Sequence, residues 1–219
     1  MRITRATIVG LVVGAVLLAV VACYAIFLPK ADDSDELPSL PDHLGDLVAL
    51  SVASPTQLGN NNPQAGAAFA QATPEQAASA IKTINAGAVS SDDKAAAHLA
   101  RLYGDATMRS YIDGTNKSQG GQLAVTVVDG HAGMVIPGGP AETVSASGVH
   151  YDLKRMGAAL CAGQWQEPQA ASAQGPATGV AYGSAECRIE RDGLTYDAYG
   201  SGLSLRQVRD LLQKVVDAR

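Results

Sequence analysis

One pair of residues in the chain has the spacing of a serine nucleophile and its base. Ser79 precedes Lys82 by three positions, which on a helix places both side chains on one face. Penicillin-recognising enzymes use this S-x-x-K spacing, together with S-D-N and K-T-G motifs that the sequence lacks. No G-x-S-x-G nucleophile motif occurs either. The pattern therefore favours a solvent-facing lysine on an alanine-rich helix.

The histidines carry no metal-binding pattern. His43, His98, His131 and His150 are far apart, with no H-x-x-x-H or H-E-x-x-H spacing, and the cysteines form no C-x-x-C pair. Glycine-rich phosphate-binding motifs are also absent. The sequence therefore predicts no catalytic residue, no metal ligand and no cofactor.

Acidic, basic and aromatic side chains gather near the C-terminus around one predicted β-hairpin. The acids alternate with arginines, which predicts cross-strand ion pairs on a solvated sheet face. The tyrosines could line a ligand groove, but their strand spacing favours packing. These residues are Glu186, Glu190, Asp192 and Asp197, with Arg188 and Arg191 between them, and Tyr182, Tyr196 and Tyr199.

The chain has three cysteines, and Cys161 and Cys187 are predicted to form a disulfide. Both lie in the part of the chain predicted outside the cytoplasm, where disulfides persist. Cys23 lies in an apolar segment, so the other two are the possible partners within the domain. Pairing of their two strands would bring them within bridging distance. Two separate buried thiols are the alternative.

An apolar N-terminal segment predicts the location of the protein. Residues 6–28 contain no charged side chain and are long enough to span a bilayer as a transmembrane helix. Arg2 and Arg5 precede this segment and acids follow it, which predicts a cytoplasmic stub over residues 1–5. An uncleaved single-pass anchor is favoured over a lipoprotein in which Cys23 carries the lipid.

The remainder is predicted to be an acidic, Pro-containing tether over residues 29–44 and one extracytoplasmic α+β domain over 45–219. The domain has a mostly antiparallel sheet and about three helices. Capping signals predict helices over 74–84, over 90–103 and from Ser204. The last helix is amphipathic. Strands are predicted from 46–52 onward, loops over 60–64 and 166–179, and a hairpin turn at 191–193.

The charge balance argues against nucleic acid as a partner. Without Arg2 and Arg5 the chain has 16 − 2 = 14 basic and 21 acidic residues, a net charge of −7. Neutralising phosphates requires clustered lysines and arginines. The predicted partners are therefore the membrane, through residues 6–28, and an unknown envelope protein or ligand.

The layout of the chain resembles that of uncharacterised single-pass membrane-anchored proteins of high-GC Gram-positive bacteria. The shared features are the anchor, the acidic tether, the stretches LGDLVALSV, HLARLYG and QLAVTVVDG, and the segment ECRIERDGLTYDAYGSGLSLRQVRDLL. This resemblance implies a cell-membrane location and no particular chemistry. Two hypotheses follow: a non-catalytic envelope binding or accessory module, or an envelope hydrolase whose site is assembled from residues distant in sequence.

Overall fold

The computed structural model describes residues 37–115, 120–132, 143–144, 149–166 and 182–218. Within them one antiparallel sheet of nine strands runs in the order β1-β2-β3-β4-β9-β8-β7-β6-β5. The strands are β1 His43–Leu44, β2 Leu47–Ala49, β3 Ala106–Asp113, β4 Gln122–Asp129, β5 Thr143–Val144, β6 Val149–Met156, β7 Ala159–Gln166, β8 Tyr182–Arg191 and β9 Leu194–Ser201. The predicted α+β class and antiparallel sheet are confirmed.

Four helices accompany the sheet in the described part of the chain, where about three were predicted. They are α1 Pro55–Asn61, α2 Pro63–Gln71, α3 Pro74–Tyr103 and α4 Leu205–Asp217. The capping boxes of Thr73 with Gln76 and of Ser204 with Gln207 are formed as predicted, and they start α3 and α4.

The predicted loop over 60–64 is wrong, because Asn60 and Asn61 end α1, and Asn62 and Pro63 start α2. Pro55 and Pro63 occupy first helical positions, where a missing backbone N–H costs nothing. The side chain of Ser54 caps α1, and that of Asn62 caps α2. A segment rich in asparagine and proline is typical of a loop, but it is equally typical of the residues that start a helix.

The two helices predicted over 74–84 and 90–103 are one helix of 30 residues. No proline interrupts residues 75–103, and alanine-rich sequence favours continuous helix. The predicted second capping box over residues 90–93 is wrong, because these residues lie inside the continuous helix, and Asp92 makes a tertiary contact there instead. Its carboxylate is buried and accepts hydrogen bonds from the backbone N and the Oγ of Ser110, at 3.0 and 2.7 Å. Asp92 therefore fixes α3 to strand β3.

The main hydrophobic core lies between one face of the sheet and α4. Val208 and Leu212 of α4 are fully buried, which confirms that its apolar stripe packs on the sheet. This helix lies against β7, β8, β9 and β1. The strands contribute to the core the side chains of Leu44, Leu47, Ala49, Tyr111, Leu123, Val125, Val127, Ala159, Cys161, Ala185, Cys187, Ile189, Leu194, Tyr196 and Ala198.

The fold includes residues N-terminal to position 45. Leu40 and Leu44 are buried in the main core, and β1 pairs with β2. The last part of the predicted tether is therefore integrated into the domain, because its spaced leucines have an apolar surface to cover. No helix in the described ranges is long and apolar enough to cross a membrane. The predicted anchor over 6–28, Cys23 and most of the predicted loop over 166–179 lie outside the described residues.

Candidate functional site

The second face of the sheet, opposite α4, carries the candidate site. Four residues from neighbouring strands pair in one row across this face: Ser110 with Ala124, Ala124 with Tyr199, and Tyr199 with Glu186. Ser110 bonds to Asp92 of α3, so the whole row lies on the side of the sheet where α3 packs. On this face α3 lies mainly against β3 and to a lesser extent against β4.

The β8–β9 hairpin sets the register of the charged residues. Asp192 and Gly193 have positive φ values of 52° and 76°, the backbone of a type I′ turn, which confirms the predicted turn. Arg191 then pairs with Leu194, which places Arg188 opposite Asp197 and Glu186 opposite Tyr199. Side chains two apart on a strand share a face, so all four lie on the second face.

Glu186, Arg188 and Asp197 form a compact charged cluster. Arg188 Nε donates to Asp197 Oδ2 at 2.8 Å, and Nη2 contacts the same oxygen. Nη2 also donates to Glu186 Oε1 at 3.3 Å, and Nη1 to the carbonyl of Ala132 at 3.0 Å. The three side chains are only 10–17% exposed. The predicted cross-strand pair of Arg188 with Asp197 therefore forms in a largely buried position, whereas Arg191 pairs with Asp192 and Asp217 in an exposed one.

Burial makes Glu186 a neutral acid at neutral pH. Removal from water is the largest influence, and the charge of Asp197 and a hydrogen bond to it act in the same direction. Arg188 opposes them only in part, so the pKa of Glu186 rises to about 8. Below that pH the protonated Glu186 donates a hydrogen bond to the Asp197 carboxylate, and the charges of Arg188 and Asp197 balance each other.

The cluster lines a cleft of about 270 Å³, here called the α3 cleft. Leu99 and Tyr103 form its α3 wall, and Tyr199 rises from β9. Tyr103 is 37% and Tyr199 50% exposed, so both side chains present surface to solvent. Its remaining lining residues are Thr126, Val128, Ala132, Glu186, Arg188, Thr195 and Asp197. The cleft therefore has apolar and aromatic side chains on one side and, on the other, charged side chains that are paired with each other.

A second cavity of about 240 Å³ adjoins the α3 cleft and shares Tyr199 with it. Its described lining residues are Leu50, Ser110, Tyr111, Ile112, Gln122, Leu123, Ala124, Tyr199 and Ser201. Tyr199 thus contributes to two cavities on the same face of the sheet.

The predicted disulfide between Cys161 and Cys187 is present, and it lies directly behind the site. The two residues are cross-strand partners on β7 and β8, with Cα atoms 4.1 Å apart. Cys187 stands between Glu186 and Arg188 in the sequence but points into the core on the other face. The bridge therefore holds the strand that carries two of the three cluster residues.

The histidines do not meet at this site in the described structure. His131 Nδ1 lies 2.9 Å from Glu190 Oε2, and both side chains are exposed. The ring of His98 is 2.9 Å from Arg101, and His150 stacks on Trp165 at 4.0 Å between centroids. His43 is exposed on β1. Among the described residues, no three His, Cys, Asp or Glu side chains lie close enough together to hold a metal ion.

Of the other residues considered in the sequence analysis, some lie at the site and others lie away from it. Ser79 and Lys82 are both exposed on α3, as the solvent-facing interpretation predicted. Tyr196 packs in the core, whereas Tyr199 lines both cavities, and the side chain of Tyr182 is not described. Leu99 and Tyr103, which no sequence motif singled out, line the cleft. Their spacing of four positions on a helix was the signal that could have marked a wall.

No protein-family profile matches the chain, and no curated protein or solved structure is significantly similar to it. The functional argument therefore rests on the geometry of the α3 cleft.

Proposed function

We propose that the protein is a membrane-anchored, extracytoplasmic binding module of the bacterial cell envelope, and that its ligand occupies the α3 cleft. The observation that carries this proposal is the pairing of two half-exposed tyrosines, Tyr103 and Tyr199, with a buried cluster of zero net charge. A concave, largely apolar site with a few oriented polar groups is the usual form of a ligand pocket.

The charged cluster suits binding better than chemistry. Arg188 already directs Nε and Nη2 at Asp197, so that carboxylate is held in place and its charge is balanced. None of the described residues lining the cleft is a histidine that could activate Thr126 or Thr195. A hydrolase with a Ser or Thr nucleophile needs such a partner. Glu186 is hydrogen-bonded to Asp197, whereas the two carboxyl groups of a glycosidase stand about 5 Å or more apart. The observed lining therefore favours recognition.

The location within the envelope rests on the sequence. Residues 6–28 form an uncharged apolar segment with arginines before it and acids after it. The disulfide is consistent with an oxidising compartment. Protease added to spheroplasts should degrade the domain while the N-terminus stays protected; protection of the domain would refute this orientation.

Binding is tested with detergent-extracted cell-wall fractions from a high-GC Gram-positive bacterium, which contain no membrane that the apolar residues 6–28 could enter. The purified full chain should co-sediment with the fraction, and Tyr199→Ala should lower the bound amount about tenfold, since aromatic contacts are worth about 1 kcal/mol or more beyond their buried area. Leu102→Ala is the matched control, because Leu102 is 64% exposed on α3 and does not line the cleft. Equal binding by wild type and Tyr199→Ala would remove the cleft from the function.

A further inference from the structure

We infer that the α3 cleft and the adjoining cavity together bind an uncharged oligosaccharide, with Tyr199 between two consecutive sugar units. This inference rests on the proposed function, since it names the ligand class of the same site. It depends on three properties of the two cavities, as far as the described residues line them: the net charge of the lining, the volumes, and the mixture of apolar and polar lining groups.

Charge is the first argument. Arg188 is the cation of the described cleft lining, and it is paired with Asp197 through Nε and Nη2. Glu186 is protonated at neutral pH, so this lining has no net charge to attract an ionic ligand. A charged ligand would have to break these pairs within a poorly hydrated site, which is costly. Hydroxyl groups can instead add hydrogen bonds to the outer lone pairs of the carboxyl oxygens.

Shape is the second argument. Cavities of about 270 and about 240 Å³ lie just below the usual range for small-molecule pockets, about 300–1,000 Å³. Each space therefore suits one ring-sized unit, and the two together suit a linear ligand of two units. Tyr199 belongs to both linings and is half-exposed, so its ring is available to the faces of both units.

The mixture of lining groups is the third argument. Sugar rings present C–H faces that pack on aromatic rings and hydroxyl edges that form hydrogen bonds. The two cavities offer both kinds of contact: Tyr103, Tyr199 and Leu99 beside Thr126, Gln122 and Ser201. A fatty acyl chain would desolvate the hydroxyl and amide groups without compensation, so a purely apolar ligand fits this surface less well.

The experiment measures binding to the full-length protein by isothermal titration calorimetry and by saturation-transfer NMR. The probes are N,N′-diacetylchitobiose and maltose as uncharged disaccharides, a glucuronic acid-containing disaccharide as the charged counterpart, and an uncharged apolar tetrapeptide. At least one uncharged disaccharide should bind, and Tyr199→Ala should weaken it about tenfold. Tyr199→Phe keeps the ring and should retain most of the affinity, and Leu102→Ala should match wild type.

The outcomes separate this inference from the proposed function. If envelope fractions bind in a Tyr199-dependent manner but no uncharged disaccharide binds or competes, the oligosaccharide inference fails and the binding function stands. Preferential binding of the charged disaccharide or of the tetrapeptide also overturns the inference. If neither envelope nor saccharide binding responds to Tyr199→Ala, both fall.

Discussion

Glu186 should make the stability of the protein depend on pH in a way that one substitution removes. Its pKa is about 8 in the folded chain and about 4.5 when unfolded. Between these values the folded state keeps a proton that the unfolded state has lost. The stabilisation is therefore complete below about pH 4.5 and is lost as pH rises through about 8.

The slope follows from the single proton. One proton bound only by the folded state changes the free energy of unfolding by up to about 1.4 kcal/mol per pH unit. Between about pH 5.5 and 7.5 the wild type should lose up to about 3 kcal/mol relative to a Glu186→Gln variant. Glutamine is the matched substitution because it is neutral at every pH, while its amide still donates a hydrogen bond toward Asp197.

The assay is urea unfolding followed by circular dichroism at half-unit steps from about pH 5 to 8.5, the range in which the two protonation states of Glu186 exchange. A second variant, Glu186→Ala, separates titration from hydrogen bonding. Both variants should lose the Glu186 slope, but only Glu186→Ala should also be less stable than wild type at about pH 5, because it leaves polar partners unpaired. Parallel stability curves for wild type and Glu186→Gln would refute the assignment of a protonated Glu186.

Three further perturbations test the scaffold. Leu212→Ala should lower the free energy of unfolding by about 2–5 kcal/mol, since Leu212 is fully buried, while the partly buried Leu211→Ala should cost less; equal small losses would contradict the packing of α4. An alkylating reagent should label neither Cys161 nor Cys187 until reductant is added, and replacing both by serine should cost on the order of 3 kcal/mol for a separation of 26 residues, measured by urea unfolding. Asp92→Ala should cost about 1–3 kcal/mol by leaving a strand amide unpaired, and Asp92→Asn should cost less; an unchanged midpoint for Asp92→Ala would show that this anchor does not hold α3.

Local patterns predicted the parts of the fold that depend on near neighbours. The capping boxes at Thr73 and Ser204 and the turn at Asp192 and Gly193 each involve residues close together in the sequence, and each is confirmed. Asp92 shows where this reasoning fails. An acid after two serines has the local pattern of a helix start, and only the distant Ser110, once folded beside it, turns the carboxylate into a contact between helix and strand.

Part of the candidate site could be predicted from the sequence. Given the predicted turn, counting along the hairpin pairs Arg188 with Asp197 and places Glu186 on the same face. The burial of this cluster could not be predicted in this way, because it depends on the packing of Leu99 and Tyr103 of α3 beside the sheet. The same alternation of charged and apolar residues along a hairpin occurs on solvent-exposed sheet faces and in clefts. The packing of elements distant in sequence decides which of the two forms.

The alternation of Glu186, Cys187 and Arg188 on β8 makes the disulfide a test of correct folding. A slip of one residue between β7 and β8 would turn Cys187 toward the cleft and both charged neighbours into the apolar core. In that arrangement Cys161 and Cys187 are no longer opposite each other and cannot be joined. Formation of the disulfide therefore retains the β7–β8 register that places Glu186 and Arg188 together on the second face of the sheet.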